Sequence, residues 1–289
     1  MCLAFIFVNF DAKVDQWKVV LIDNRDEFYD RPTLQAQWHD NLLYDMQEGG
    51  TWLAIDKQGR MGVLLNISAG KSRNDNLLSR GLLLPNWLNS GQSALDFAQS
   101  VSKDAQHYNG FSLILLDSAR PSNTDKPSLV YMTNVCGIQV ERLEPGKHSQ
   151  YGFSNSERHK PYRKVQHGLQ KFKQVLLKNI EATPENRERL IQDCLELLKD
   201  KTRHYPDVQI DATHKEKMPE IIRQSLSSCF VESPGRYGTR SHTIVLVDGR
   251  DQVTFYESSA IEFPDDISEF KWDTRRYDFS VQDFSRNKV

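Results

Sequence analysis

Apolar and polar positions alternate in blocks along the chain. Cys2–Val8 is an unbroken apolar run ended by Asn9 and Asp11, and Trp17–Ile22 is a second run. Both predict buried strands, the second leading into a polar turn at Asp23-Asn24-Arg25-Asp26. Thr51–Asp56 and Met61–Asn66 flank Lys57-Gln58-Gly59-Arg60 and predict a hairpin. Residues 73–103 carry helical spacing through Leu77, Leu82, Leu84, Leu95, Ala98 and Val101, with Pro85 placed to kink or divide them. Phe111–Leu116, Leu129–Thr133 and Gly137–Arg142 return to strand patterns. A helix is then predicted from Pro161, because Val165, Leu169, Phe172, Leu176 and Ile180 recur on one face. Thr183-Pro184-Glu185 predicts an N-cap and first turn for another helix, carrying Leu190, Cys194 and Leu197. Thr243–Val247, Val253–Tyr256 and Tyr277–Val281 close the chain as strands, and Ser118–Lys126 and Asp200–Glu216 read as loops.

Strands come in groups and helices in groups, which predicts an α+β fold with mostly antiparallel sheets. No stretch has the composition of an interdomain linker, so residues 1–289 read as one domain. The 289 residues carry a formal net charge of −2, which argues against a nucleic-acid partner. Cys2, Cys136, Cys194 and Cys229 are scattered, which fits neither a zinc module nor a secreted disulfide framework and points to a reducing interior. The first apolar run is too short to span a bilayer, has no basic residues before it, and is not an Arg-rich transit segment. A cytoplasmic protein is expected.

Cys2 is the first candidate for chemistry. A Met before a small residue is normally removed, which would leave Cys2 with its own α-amine as a base beside its thiol. The plainer reading is a small buried residue at a strand start. Arg25 reads either as part of a turn or as a guanidinium that favours thiolate, and Asp26 either as a cap or as a partner of the amine or of Arg25. From Arg158 to Lys178 there are seven basic residues and no acid. Lys164, Lys171 and Lys178 are seven apart and line up on a helix, giving either a solvated face or a docking surface for anionic membranes. The eight His residues form no metal-binding pattern, so no metal site is expected.

Met1-Cys2, then Asn24-Arg25-Asp26-Glu27-Phe28-Tyr29 with Arg31-Pro32, resembles the NRDE family, also called the transport and Golgi organization protein 2 family. Gly49-Gly50-Thr51-Trp52-Leu53, Asn109-Gly110-Phe111, Tyr151-Gly152-Phe153-Ser154-Asn155 and Tyr237-Gly238-Thr239-Arg240 extend the resemblance to about residue 280. It implies an N-terminal-nucleophile hydrolase-like fold, a four-layer αββα sandwich. From the bile-salt hydrolase and penicillin V acylase branch it implies Cys2, Arg25, Asp26, Asn155 and Arg240 as catalytic positions. Asn66 stands in the place of an oxyanion-stabilising region, with Ile67 where family members often carry an aromatic. It further implies haem trafficking and lipid or acyl-coenzyme A homeostasis in the cytoplasm, mitochondria or Golgi region. No resident cofactor is required; haem enters as a transported ligand. A pocket for haem or an acyl lipid would draw apolar walls from Trp52, Phe111 and Phe153 and a cationic rim from Arg25 and Arg240, with Trp52 reading also as core. Each residue alone has an ordinary structural role open to it: Asn155 caps a turn, and Arg240 pairs with a carboxylate. The alternative function is a Cys2-nucleophile hydrolase acting on an amide, ester or thioester.

Overall fold

The computed structural model describes residues 1–44, 50–67, 74–117, 127–144 and 149–281. Ser118–Lys126 and Gly49 therefore lie outside the described residues. The fold is α+β with two antiparallel sheets. The chain forms two compact units: Met1–Pro32 with Lys147–Asp278, and Thr33–Gly146 with Phe279–Val289.

The first unit opens with β1 (Leu3–Val8) and β2 (Trp17–Phe28). The chain then builds the second unit from β3 (Gln37–His39), β4 (Leu42–Tyr44), β5 (Leu53–Asp56), β6 (Met61–Asn66), α1 (Leu83–Ser90), α2 (Ala94–Lys103), β7 (Phe111–Asp117), β8 (Ser128–Thr133) and β9 (Gln139–Leu143). It returns to the first unit through β10 (Ser149–Ser154), α3 (Arg163–Lys178), α4 (Pro184–Leu198), α5 (Val208–His214), α6 (Glu220–Ser225), β11 (Glu232–Ser233), β12 (Tyr237–Asp248), β13 (Gln252–Glu262) and β14 (Lys271–Ser280).

In the second unit the strands pair in chain order, β3 to β9, as a meander. Leu84, Trp87, Phe97 and Ala98 of its helices pack with Leu64, Phe111, Leu113, Val130 and Met132. The helical stretch is divided at Gly91, whose φ of 71° only glycine adopts freely, and Ser93 caps α2 by accepting the Asp96 N–H. Pro85 is not the dividing point. It lies in the first turn of α1, where a missing N–H costs no helical bond.

In the first unit the sheet runs β10-β1-β2-β12-β13-β14, with β11 on β12. Leu3, Phe5, Phe7, Val20, Ile22, Ile244 and Leu246 form one face, which packs against Val165, Phe172, Leu176, Leu190, Cys194 and Leu198 of α3 and α4. The fit depends on Gly168: a Cβ there would come within 2.3 Å of the Phe5 ring. Thr183 caps α4 as its sequence predicts, accepting the Asn186 N–H. Ile180 lies beyond the C-cap Asn179 and is exposed. Asp200–Glu216 is not all loop, since Asp207 caps α5 through the N–H groups of Gln209 and Ile210.

The predicted polar turn at 23–26 is instead the second half of β2, and all four residues are buried. Polar side chains survive there because the pairing strand and helices supply partners for them. Among the described residues no helix is long and apolar enough to cross a membrane.

Candidate functional site

Strand register assembles the site. Leu3 pairs with Asn24 on one side and Ser154 on the other. One residue earlier, Cys2 comes level with Arg25 and Asn155. Arg25 pairs with Ser241 of β12, and Ser241 with Ser259 of β13. Alternation then sets Asn155, Cys2, Arg25 and Ser241 in a row on the sheet face opposite α3 and α4. Residues 153 positions apart in sequence become neighbours in this way.

Arg240 enters the row through an irregularity. Asp26 pairs with Thr239 and Arg25 with Ser241, so Arg240 is the extra residue of a β-bulge. Its Nη1 donates to the Phe28 carbonyl at 2.9 Å and to the Arg31 carbonyl, and its guanidinium lies 4.5 Å from the centre of the Phe263 ring. Burial, and then the charge of Arg25, bring its pKa down to about 10. Arg25 approaches Glu27 at 3.9 Å. Burial works to raise the pKa of Glu27, but the Phe28 N–H and Arg31 outweigh it and hold the carboxyl below its usual range.

The Cys2 thiol lies against β2. The Asp26 N–H donates to Sγ at 3.4 Å, and Sγ–H faces the Asp26 carbonyl at 3.6 Å. Ser154 Oγ donates to the Cys2 carbonyl at 2.6 Å. Burial pushes the thiol pKa up to about 11; the Met1 ammonium pulls it down, and Asp26 and Asp23 push it up.

Asp26 points to the helix face. Its Oδ2 is 3.0 Å from the Met1 ammonium, and its Oδ1 accepts from Thr239 Oγ1 at 2.6 Å. The same ammonium donates to Tyr237 Oη at 2.5 Å. Lys164 Nζ donates to the Met1 carbonyl at 2.8 Å. Lys164 is thus fully buried, not part of an exposed basic line. It is in the first turn of α3, directly over the start of β1, whereas Lys171 and Lys178 are farther along the helix and exposed. Burial depresses both the Met1 amine and Lys164 pKa values. Asn24, also on this face, donates to the carbonyls of Leu198 and Cys229 at 2.8 and 2.9 Å, and its Oδ1 meets His242 Nδ1 at 2.6 Å.

Asn66, Trp52 and Phe111 belong to the second unit. Asn66 ends β6, opposite Phe111 of β7, and is exposed. Phe111 is fully buried and packs against Tyr108 within the core of its unit. Trp52 accepts the Leu64 N–H through its carbonyl at 2.7 Å. Gly50 serves a close approach to Gly81, whose Cα a Cβ would meet at 2.7 Å. Phe153 is in the first unit, buried, with its ring 6.3 Å from that of Tyr151. Asn155 accepts the Tyr162 hydroxyl through its carbonyl at 3.1 Å. Among the described residues no cluster of three His, Cys, Asp or Glu could hold a metal ion. Sequence reasoning missed Lys164 and Tyr237 as partners of the N-terminus and Thr239 as a partner of Asp26. The Tyr237-Gly238-Thr239-Arg240 motif held two of them, and nothing in the lysine spacing marked the third.

The family model described as Transport and Golgi organisation 2 matches residues 1–262. The chain belongs to the Transport and Golgi organisation 2 family. The Transport and Golgi organization 2 homolog of Mus musculus is 32% identical over 294 residues, covering 98% of this chain and 100% of the mouse protein. The human homolog is also 32% identical with the same coverage, and the Drosophila melanogaster protein is 29% identical over 90% of this chain and 92% of its own. Among solved structures, the mutant C2A conjugated bile acid hydrolase from Clostridium perfringens covers 98% of each chain at 7% identity, with a TM-score of 0.44. The motif residues Cys2, Arg25, Asp26, Asn155 and Arg240 all fall in the first unit.

Proposed function

We propose that the row built on Cys2, Arg25 and Arg240 binds a small molecule with a large apolar body and an anionic end, and that the protein carries such a ligand within the cell. Haem, with its propionates, and acyl lipids have this chemistry, so haem trafficking and lipid homeostasis are the functions assigned. The supporting observation is the Arg25–Arg240 pair. Two buried guanidiniums lie on adjacent strands; burial first, and then repulsion from Arg25 against the pull of Glu27, lower the Arg240 pKa to about 10. A carboxylate or phosphate placed between them relieves that repulsion, and a guanidinium suits either group in bidentate geometry. We propose with it residence in the cytoplasm with Golgi or mitochondrial association. Docking to anionic membranes would use the exposed Lys178 and Lys171, the latter ion-paired with Asp200, without Lys164.

The test is a haem titration followed by absorbance. Arg25→Gln or Arg240→Gln should weaken binding by at least about tenfold, a loss of roughly 1.4 kcal/mol, and Cys2→Ala should change it little. Unchanged affinity in both Arg variants, with the absorbance shift lost in Cys2→Ala, would make Cys2 an axial thiolate ligand and reject the anion pair.

A second reading is a Cys2-nucleophile hydrolase of an amide, ester or thioester, favoured by the thiol's place in the row with Arg25 and Asn155. With Met1 in place, burial holds the thiol pKa up at about 11 and the Cys2 nitrogen is a peptide amide that cannot take the thiol proton. Turnover belongs to protein beginning at Cys2, identified by intact mass, and should vanish in Cys2→Ala. Turnover by Met1-retaining protein would reject this division.

A further inference from the structure

We propose that Lys164 is a positioning residue for the N-terminus and holds the α-amine of Cys2 in its neutral, proton-accepting form in protein that begins at Cys2. Its consequence for turnover rests on the hydrolase reading above; its effect on the amine does not.

Lys164 occupies an unfavourable place for a cation. It is 0% exposed and sits in the first turn of α3, at the positive end of the helix dipole, in a turn with no acidic residue. Stability alone does not account for a lysine there. Its Nζ is 2.8 Å from the Met1 carbonyl oxygen. That carbonyl carbon is bonded to the Cys2 nitrogen, so the nitrogen lies within about 5.4 Å of Nζ by bond lengths alone. Removal of Met1 takes that carbonyl away and leaves the nitrogen as the α-amine, within the same reach of Lys164.

The charges around the amine are few. Around the Met1 amine lie Asp26 of β2, Tyr237 of β12, Lys164 of α3 and the Cys2 thiol, and Asp23 of β2 acts on Cys2 beside Asp26. Cys229 and Asp207 act on Lys164 from the segments packed beside it. Asp26 acts on both cations, and Asp207 on Lys164 as well. At an effective dielectric of about 20, two unit charges at this separation oppose one another by on the order of a hundredfold in proton affinity. Burial adds in the same direction, as it does for the Met1 amine. The neutral amine can accept the thiol proton: the S–H bond breaks, an N–H bond forms, and the resulting thiolate and ammonium need no other reactant. Asp26 then pairs with the new ammonium.

The experiment uses full-length protein verified by intact mass to begin at Cys2. The pH dependence of acetylation of the N-terminal amine is read by peptide mass spectrometry for wild type, Lys164→Met, Lys164→Gln and Lys164→Arg. The midpoint should rise by at least about one pH unit, a tenfold shift in proton affinity, in Lys164→Met and Lys164→Gln, and should stay near wild type in Lys164→Arg. Gln keeps a donor without the charge, so it separates charge from hydrogen bonding and replaces Met should that variant not fold. Unshifted midpoints in the uncharged variants, or an Arg variant that behaves like them, would overturn the proposal. Absence of turnover with every substrate would reject the hydrolase reading and leave the amine titration standing.

Discussion

Thr239 Oγ1 donates to Asp26 Oδ1 at 2.6 Å while accepting the Val231 N–H at 2.8 Å, so one hydroxyl ties β12 to both β2 and the chain entering β11. All three groups are buried. Thr239→Val keeps the shape and removes both bonds. It should destabilise the protein by about 1–3 kcal/mol for each buried partner left unsatisfied, and Thr239→Ser should recover most of the loss. Urea unfolding of the two variants measures the difference. Equal midpoints for Val and wild type would remove the hydroxyl from the account of the site.

Gly168 tests the packing of α3 on β1. Helix propensity alone predicts that Gly168→Ala stabilises by about 1 kcal/mol. The Cβ would meet the Phe5 ring at 2.3 Å, and that ring is stacked on Phe172 within the core. Overpacking of this kind costs about 1–3 kcal/mol, so net destabilisation is expected. A raised thermal midpoint would show that α3 shifts freely on the sheet.

His242 gives the fold a pH dependence. Burial, with a lesser push from Lys199, lowers its pKa to about 3. Because Asn24 Nδ2 donates to two carbonyls, Asn24 Oδ1 is the acceptor and the neutral ring carries its proton on Nδ1. The ring lies flat against Trp272, with centroids 4.9 Å apart. Between about pH 3 and the ordinary histidine value near 6.5, the unfolded chain binds a proton that the folded chain refuses. Stability therefore rises with pH through this window, by up to about 1.4 kcal/mol per pH unit from this residue, and falls on acidification. His214, lowered by burial to about 4, adds to the same slope. Urea unfolding at a series of pH values should show a shallower slope for His242→Gln than for wild type. Parallel slopes would mean that His242 does not titrate on unfolding.

What the sequence determined by itself lies where causes are local. The apolar run from residue 2, the spacing of Val165, Phe172 and Leu176, and the Thr183-Pro184 cap each depend on residues within a few positions. The strands and helices they predict are present. The motif pieces also marked Cys2, Arg25, Asp26, Asn155 and Arg240 as a set before any geometry. Only the tertiary structure decided that Asp23-Asn24-Arg25-Asp26 continues β2, because the partners that let those residues be buried lie more than 170 positions away at Leu198, Cys229, Thr239 and His242. It alone placed Arg240 in a bulge beside Arg25, since a register shift belongs to a pair of strands and not to either sequence. And it alone turned Lys164 inward, because a seven-residue period describes one side of a helix without saying what covers its first turn. There the covering element is the N-terminus, whose carbonyl takes the ammonium.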